Sequence, residues 1–209
     1  METLQRSRLG PLIRSGVSVA RLPLWRWRNS PPPAPPHSKR AVVASFARRV
    51  RPDTFVETGT YRGDTLARIR PLVARCISIE LDPTLASAAQ RRFAKYGGVE
   101  VRVGDSAIVL AEVVRTLSGS ALFWLDGHYS GGVTADSGKS PIIQELTSIL
   151  ASELDATILV DDARLFDGSD GYPTVSEVVE LIKGHQPDLH CVIEDDIIRV
   201  TREAELQTS

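Results

Sequence analysis

The sequence predicts an α/β fold: a mostly parallel sheet with helices on both faces. Three observations carry that prediction. From about residue 41 short apolar runs alternate with stretches of helical periodicity. The runs are bounded by residues that open or close helices, such as Asp82-Pro83 and Gly97. The end of the chain, "LHCVIEDDIIRVTR", breaks the alternation and reads as an antiparallel hairpin turning near Asp195.

In order, "AVVASFARRV" is a leading helix that stops before Pro52, and "TFVE" a short buried strand. Gly63, Asp64 and Thr65 open a helix reaching about Arg70, and "RCISIE" is the second strand. The next helix starts with Asp82 as N-cap and Pro83 in its first turn, where a missing N–H costs nothing. "VEVRV" is the third strand, followed by a helix for which Ser106 is the expected cap. "ALFWL" is the fourth strand. After a stretch rich in Gly, Ser and Thr over 127–140, Ser140 and Pro141 start a helix to about Ser152. "TILV" is the fifth strand and "TVSEVVELIKG" the last helix. No internal repeat is visible.

Charge separates the two ends of the chain. Residues 1–52 hold eleven Lys or Arg against one acid, whereas 53–209 hold fourteen against twenty-five. We therefore divide the chain into a basic, Pro-rich tail and linker, 1–40, and a folded domain, 41–209. Three readings of the tail stand open. Arginines interrupt every apolar run, which argues against a secretory signal among targeting peptides. "PLWRWR" suits an anionic membrane surface, with Trp25 and Trp27 at the headgroups and Arg26 and Arg28 near phosphates. The third is a disordered tail on an extended linker over 31–36. Trp25 and Trp27 suit a second copy of the chain equally well, so a homo-oligomer is also open. Nucleic acid is not an expected partner, because the folded part is acidic. No apolar run approaches the ~20 residues that span a bilayer. The expected location is the cytoplasm, with peripheral membrane contact through 1–40 as an addition. Cys76 and Cys191 lie in apolar runs without metal-ligand spacing and are expected to be buried thiols.

Acids close the predicted strands: Glu57, Glu80, Asp105, Asp126, and Asp161 with Asp162. In an open parallel sheet ligands bind beyond the carboxyl ends of the strands, so these acids should share one rim. An acid is also common at a strand end as a turn or cap residue, but its recurrence at all five is harder to assign that way. The first turn, "ETGTYRGDT", carries Gly59 and Gly63 but lacks the G-x-G-x-x-G spacing of a pyrophosphate cradle. Glu80, some twenty residues on, is placed to accept from ribose hydroxyls, and Asp105 with Ser106 to pair with an adenine edge. A nucleoside pocket without a phosphate cradle points to S-adenosylmethionine (SAM).

The stretches "FVETGTYRGDT", "SIELD", "VGDS", "FWLDGHYSGG" and "ILVDDARLF" together resemble the successive motifs of class I SAM-dependent methyltransferases. Within that class the sequence is most similar to the macrocin O-methyltransferase-like group, over residues 41 to 201. The resemblance implies a doubly wound, Rossmann-like, seven-stranded sheet ending in an antiparallel hairpin. It implies transfer of a methyl group from SAM to a small-molecule hydroxyl, such as a sugar or natural-product intermediate, with help from Mg2+. It assigns Glu57, Gly59 and Gly63 to the methionine part of SAM, Glu80 to the ribose, and Asp105 and Ser106 to the adenine. It assigns Asp126, Asp161 and Asp162 to the metal. Asp126 then acts at the reacting centre, and His128, two residues on, is a candidate base for the acceptor proton. Arg164 either meets an anionic acceptor or balances the nearby acids, and Tyr129 either shapes the acceptor pocket or simply packs. The fourth-strand motif reads "LDGHYSGG" where the sugar methyltransferases of the group are richer in acids, which leaves base and acceptor open.

Two other functions stay in view. A SAM-binding protein without catalysis, attached through its tail, differs from the enzyme in liposome flotation of the full chain against residues 41–209. A nicotinamide oxidoreductase suffers from the glycine spacing, and absence of NAD binding closes it.

Overall fold

A computed structural model of the chain describes residues 33–126 and 140–202. Trp25, Trp27 and most of the tail, as well as His128, Tyr129 and the 127–139 stretch, lie outside the described residues.

Seven strands form one sheet: β1 (Thr54–Thr58), β2 (Arg75–Glu80), β3 (Val99–Val103), β4 (Ser120–Leu125), β5 (Asp155–Val160), β6 (His190–Glu194) and β7 (Ile197–Thr201). Their order is β3-β2-β1-β4-β5-β7-β6. All pairings among β1 to β5 are parallel, and β7 runs antiparallel to both β5 and β6. This is the architecture the resemblance implied.

The helices are α1 (Pro36–Val50), α2 (Asp64–Ile69), α3 (Pro83–Phe93), α4 (Ser106–Arg115), α5 (Ile142–Leu150) and α6 (Val175–His185), with a 3-10 turn at Ala163–Leu165. Side-chain alternation along the strands splits the core into two layers. Val56, Ile77, Phe123, Leu125, Ile158 and Val200 meet α4, α5 and α6 on one face. Phe55, Cys76, Leu122, Trp124, Leu159 and Ile197 meet α1, α2 and α3 on the other. The sheet is therefore doubly wound, with strand order reversing between β1 and β4, where a crevice opens at the carboxyl edge.

Local details follow from the residues present, and some depart from expectation. The leading helix starts at Pro36, five residues before the expected Ala41, so the boundary drawn at 40/41 falls inside α1. The proline run reads as extended linker, yet its last member has the backbone angle a helix needs at its first position. Its buried stripe is Lys39, Val43, Phe46 and Ala47, which puts a lysine in line with the core residues. Asp82 caps α3 as expected, accepting from Thr84 N and Leu85 N. Asp105, not Ser106, caps α4, accepting from Ala107 N at 2.9 Å. The β6–β7 turn is built from Asp195 (φ 54°) and Asp196 (φ 63°) in the paired left-handed conformation that a two-residue hairpin needs. Cys76 is buried and its thiol is pushed up to about 12 by burial, whereas Cys191 is only half-buried.

Helix α6 begins with a reciprocal cap. Glu177 N donates to Thr174 Oγ1 at 3.2 Å, and Thr174 N donates to Glu177 Oε2 at 2.7 Å. Replacing Thr174 with Ala is expected to cost about 1 kcal/mol, read as a lower midpoint in urea unfolding with an unchanged slope. An unchanged midpoint would mean the cap adds nothing.

Candidate active site

Register brings the strand ends level. Thr58 pairs with Ile79 on one side and Leu125 on the other, and Leu125 with Val160. The ladder then runs one step past the strands: Gly59 N donates to the Ile79 carbonyl (2.9 Å), Asp126 N to Thr58 (3.3 Å) and Asp161 N to Leu125 (2.9 Å). The acids that follow are thus held by main-chain bonds on a single edge. This is the convergence expected from the sequence.

At the β1–β4 crevice, Gly59 adopts φ 81°, and a Cβ there would lie 2.9 Å from the Asp126 carbonyl oxygen. Only a glycine lets the two loop backbones approach so closely. Glu57 lies beneath this turn, 1% exposed, and accepts from Ser78 Oγ at 2.7 Å. Burial pushes its carboxyl up to about 8, against the Ser78 hydrogen bond and with Asp126 and Glu80 adding repulsion. Gly63 also has a positive φ, 69°, and opens α2 against the Phe93 ring.

Glu80, at the end of β2, takes Tyr61 N on Oε2 (2.6 Å) and Asp82 N on Oε1 (3.0 Å). Those two amides fix the carboxylate plane, and each oxygen keeps a further lone pair for a hydroxyl. Asp105 and Ser106 sit at the start of α4 on the same edge, although Asp105 Oδ1 is already engaged by the cap.

A residue the sequence reading passed over joins them. Glu145 of α5 is fully buried, and burial pushes its carboxyl up to about 7, with the Ser106 and Thr58 hydroxyls beside it and Asp105 and Asp126 adding repulsion. Ser106 and Thr58 lie near enough to lower the Glu145 carboxyl somewhat, but among the described residues neither Glu145 oxygen nor Thr58 Oγ1 has a partner at full hydrogen-bond geometry. Such atoms under a ligand crevice suit a polar ligand. The periodicity of "PIIQELTSIL" carries the only hint, since Glu145 falls on the stripe of Ile142, Leu146 and Ile149.

The second part of the edge is the acid group. Asp126, Asp161 and Asp162 have carboxylate oxygens within 4.8 Å of one another. Asp161 and Asp162 are both buried. Asp162 has φ 55° and leads the 3-10 turn, and its N–H returns to Asp161 Oδ1 at 2.7 Å. Their spacing would let them supply part of the oxygen shell of a hard cation.

They are already paired with a cation. Lys39 Nζ lies 2.5 Å from Asp161 Oδ1, bonds Asp162 Oδ1, and lies 3.7 Å from Asp196 Oδ2. Burial alone would lower the Lys39 pKa, but Asp161 and Asp162 outweigh it, so the ammonium stays charged. Of its two expected roles, Arg164 takes the one of balancing nearby acids. It bonds Asp162 and Asp196 with its guanidinium and donates its backbone N–H to Asp196 Oδ1 at 3.0 Å. The hairpin turn is thereby pinned to the edge. A divalent ion does not fit this arrangement alongside Lys39, because two of its three carboxylates are committed to the ammonium.

Solved structures share this fold. The SAH-bound methyltransferase PaMTH1 of Podospora anserina is 16% identical, with 97% of this chain and 100% of that one covered and a TM-score of 0.57. TomG, an O-methyltransferase of Streptomyces achromogenes involved in tomaymycin synthesis and solved with SAM, is 19% identical over 88% and 89% of the two chains, with a TM-score of 0.58. An O-methyltransferase of Bacillus cereus in complex with SAH is 14% identical over 89% and 90%, with a TM-score of 0.55. The chain has the methyltransferase fold. No protein-family model and no curated protein matches it. Among the described residues no helix is long and apolar enough to cross a membrane.

Proposed function

We propose that this chain is a SAM-dependent O-methyltransferase acting on a hydroxyl of a small molecule. The observation that carries the reading is the β1–β4 crevice. There a glycine turn meets Asp126 at close range, and Glu57, Glu80 and Asp105 surround it without a phosphate cradle. SAM supplies an electrophilic methyl group on a sulfonium. The chain supplies acids suited to its cationic methionine end at Glu57, hydroxyl acceptors for the ribose at Glu80, and polar groups for the adenine at Asp105 and Ser106. Asp126 would act at the reacting centre in this reading. The acceptor oxygen forms the new bond to the methyl carbon as the carbon–sulfur bond breaks, and its proton passes to a base, His128 in this reading. The five resembling stretches support the finer placement in the macrocin O-methyltransferase-like group. A metal-assisted form of the reaction requires Asp161 and Asp162 to be released from Lys39.

Calorimetric titration with SAM tests the reading. Binding is expected in the micromolar range, about −8 kcal/mol. In a Glu80→Ala variant it is expected to weaken by about tenfold or more, the loss of charge-assisted hydrogen bonds to ribose. No binding to the wild-type chain would leave the fold without the function.

A further inference from the structure

We infer that Lys39 is the resident cation of the acidic rim and takes the place of a divalent metal in this chain. The inference rests on the methyltransferase reading only for what the rim is used for. The side chain comes from α1, across the sheet edge from the acids it meets, and its position is built rather than incidental. Lys39 occupies the first place of the stripe that continues through Val43, Phe46 and Ala47, so the packing of α1 on the sheet fixes where its stem emerges. Its side chain is 9% exposed, and those of Asp161 and Asp162 are 7% and 5% exposed. A lysine held this deeply by two carboxylates is a strong competitor for them, since breaking the pair leaves buried charge uncompensated.

The rim's acids are shared between two side-chain cations, of which Lys39 is the buried one. Lys39 meets Asp161, Asp162 and Asp196, Arg164 bridges Asp162 to Asp196, and Asp126 lies beside Asp161 and Asp162. The rim without Lys39 would present three carboxylates within 4.8 Å to a hard cation, of which only Asp162 is also held by Arg164. With Lys39 in place, a divalent ion would have to pull two carboxylates from an ammonium, one of them, Asp161, pushed up to about 7 by burial against the attraction of Lys39, and then sit beside that ammonium or expel it. Lys39 thus does in part what the ion would do: it offsets one charge of the pair and holds the two carboxylates together. It is a positioning residue that acts through Asp161 and Asp162.

The test uses Mn2+ as probe, followed by electron paramagnetic resonance of the free ion, on the full chain and on Lys39→Met, which keeps the apolar stem and removes the charge. The wild type is expected to leave Mn2+ free at submillimolar concentration. Lys39→Met is expected to bind it at least about tenfold more tightly, the effect of removing one positive charge a few ångströms from the site. Adding Asp161→Asn to Lys39→Met should abolish the gain. Should Lys39→Met fail to fold, Lys39→Gln replaces it, retaining a donor at the same position. Mn2+ binding by the wild type as tight as by the variant overturns the inference, and so does an absence of binding in both. SAM titration of the same samples separates this result from the functional reading. A wild type that binds SAM and Mn2+ sinks the lysine assignment alone, whereas failure to bind SAM sinks the methyltransferase assignment.

Discussion

Replacing Gly59 with Ala is expected to lower stability by about 2 to 3 kcal/mol and to weaken SAM binding by at least about tenfold. The backbone at Gly59 has φ 81°, a conformation that costs an L-residue about 1–2 kcal/mol. The added methyl would also stand 2.9 Å from the Asp126 carbonyl oxygen and 3.3 Å from the Asp126 Cβ. Neither neighbour is the end of a flexible side chain. The Asp126 backbone is tied to Thr58, so relief of the clash has to open the β1–β4 crevice itself. The stability term should appear in thermal unfolding as a drop of roughly 5 to 10 °C. Gly97→Ala is the control, because a methyl there meets nothing within 4 Å. It should stay within about 0.5 kcal/mol of the wild type. Unaltered SAM affinity in Gly59→Ala would show that the crevice does not hold the cofactor.

What the sequence disclosed about this site, and what it hid, follow from the range of the signals. Strand ends and helix caps are local, so Glu80, Asp82, Asp126 and Asp161 were legible as edge residues from a handful of neighbours each. The parallel register then brings them level without further information. Lys39 and Glu145 were not legible in that way. Each is a charged residue on an otherwise apolar helical stripe, and a stripe states that a position is buried without stating against what. Lys39 was hidden further by the proline run, whose extended reading placed it outside the domain. Asp196 belongs to the turn expected near Asp195, but its carboxylate also meets Arg164 and Lys39, a contact set by how β7 inserts between β5 and β6. The cap of α4 moved by one residue for a local reason. Asp105 and Ser106 are both good N-caps, and the main chain at Asp105 is the extended one.

Glu57→Gln should change both the pH dependence of stability and the affinity for SAM. Buried Glu57 keeps its proton up to about 8 and Glu145 up to about 7, whereas both have an ordinary value of 4.5. Between those values the folded chain binds more protons than the unfolded chain, so stability falls as pH rises across the window. The contribution is fully present below pH 4.5 and is lost as pH passes the folded values. Each group adds a slope of at most about 1.4 kcal/mol per pH unit. Asp82 and Glu177, held low by helix-cap hydrogen bonds, act with the opposite sign but at more acid pH, so they do not offset this trend. The amide of Glu57→Gln keeps the shape and an acceptor for Ser78 but cannot ionise. Its stability should therefore decline less steeply with pH, leaving it more stable than the wild type at pH 8, on the order of a few kcal/mol at most. Urea unfolding at several pH values from 5 to 8 reads this directly, and parallel curves for the two proteins would exclude Glu57 as a titrating group. The cofactor reverses the balance. A cationic methionine end beside Glu57 favours the carboxylate, so SAM binding near pH 7 should release a proton from the wild type. The binding enthalpy should accordingly differ between phosphate and Tris buffers, and less so in Glu57→Gln. The variant, which gains stability without ligand, should lose about tenfold or more in SAM affinity. A gain in stability with no loss of affinity would place Glu57 in the core alone and move the cationic end of the cofactor elsewhere on the rim.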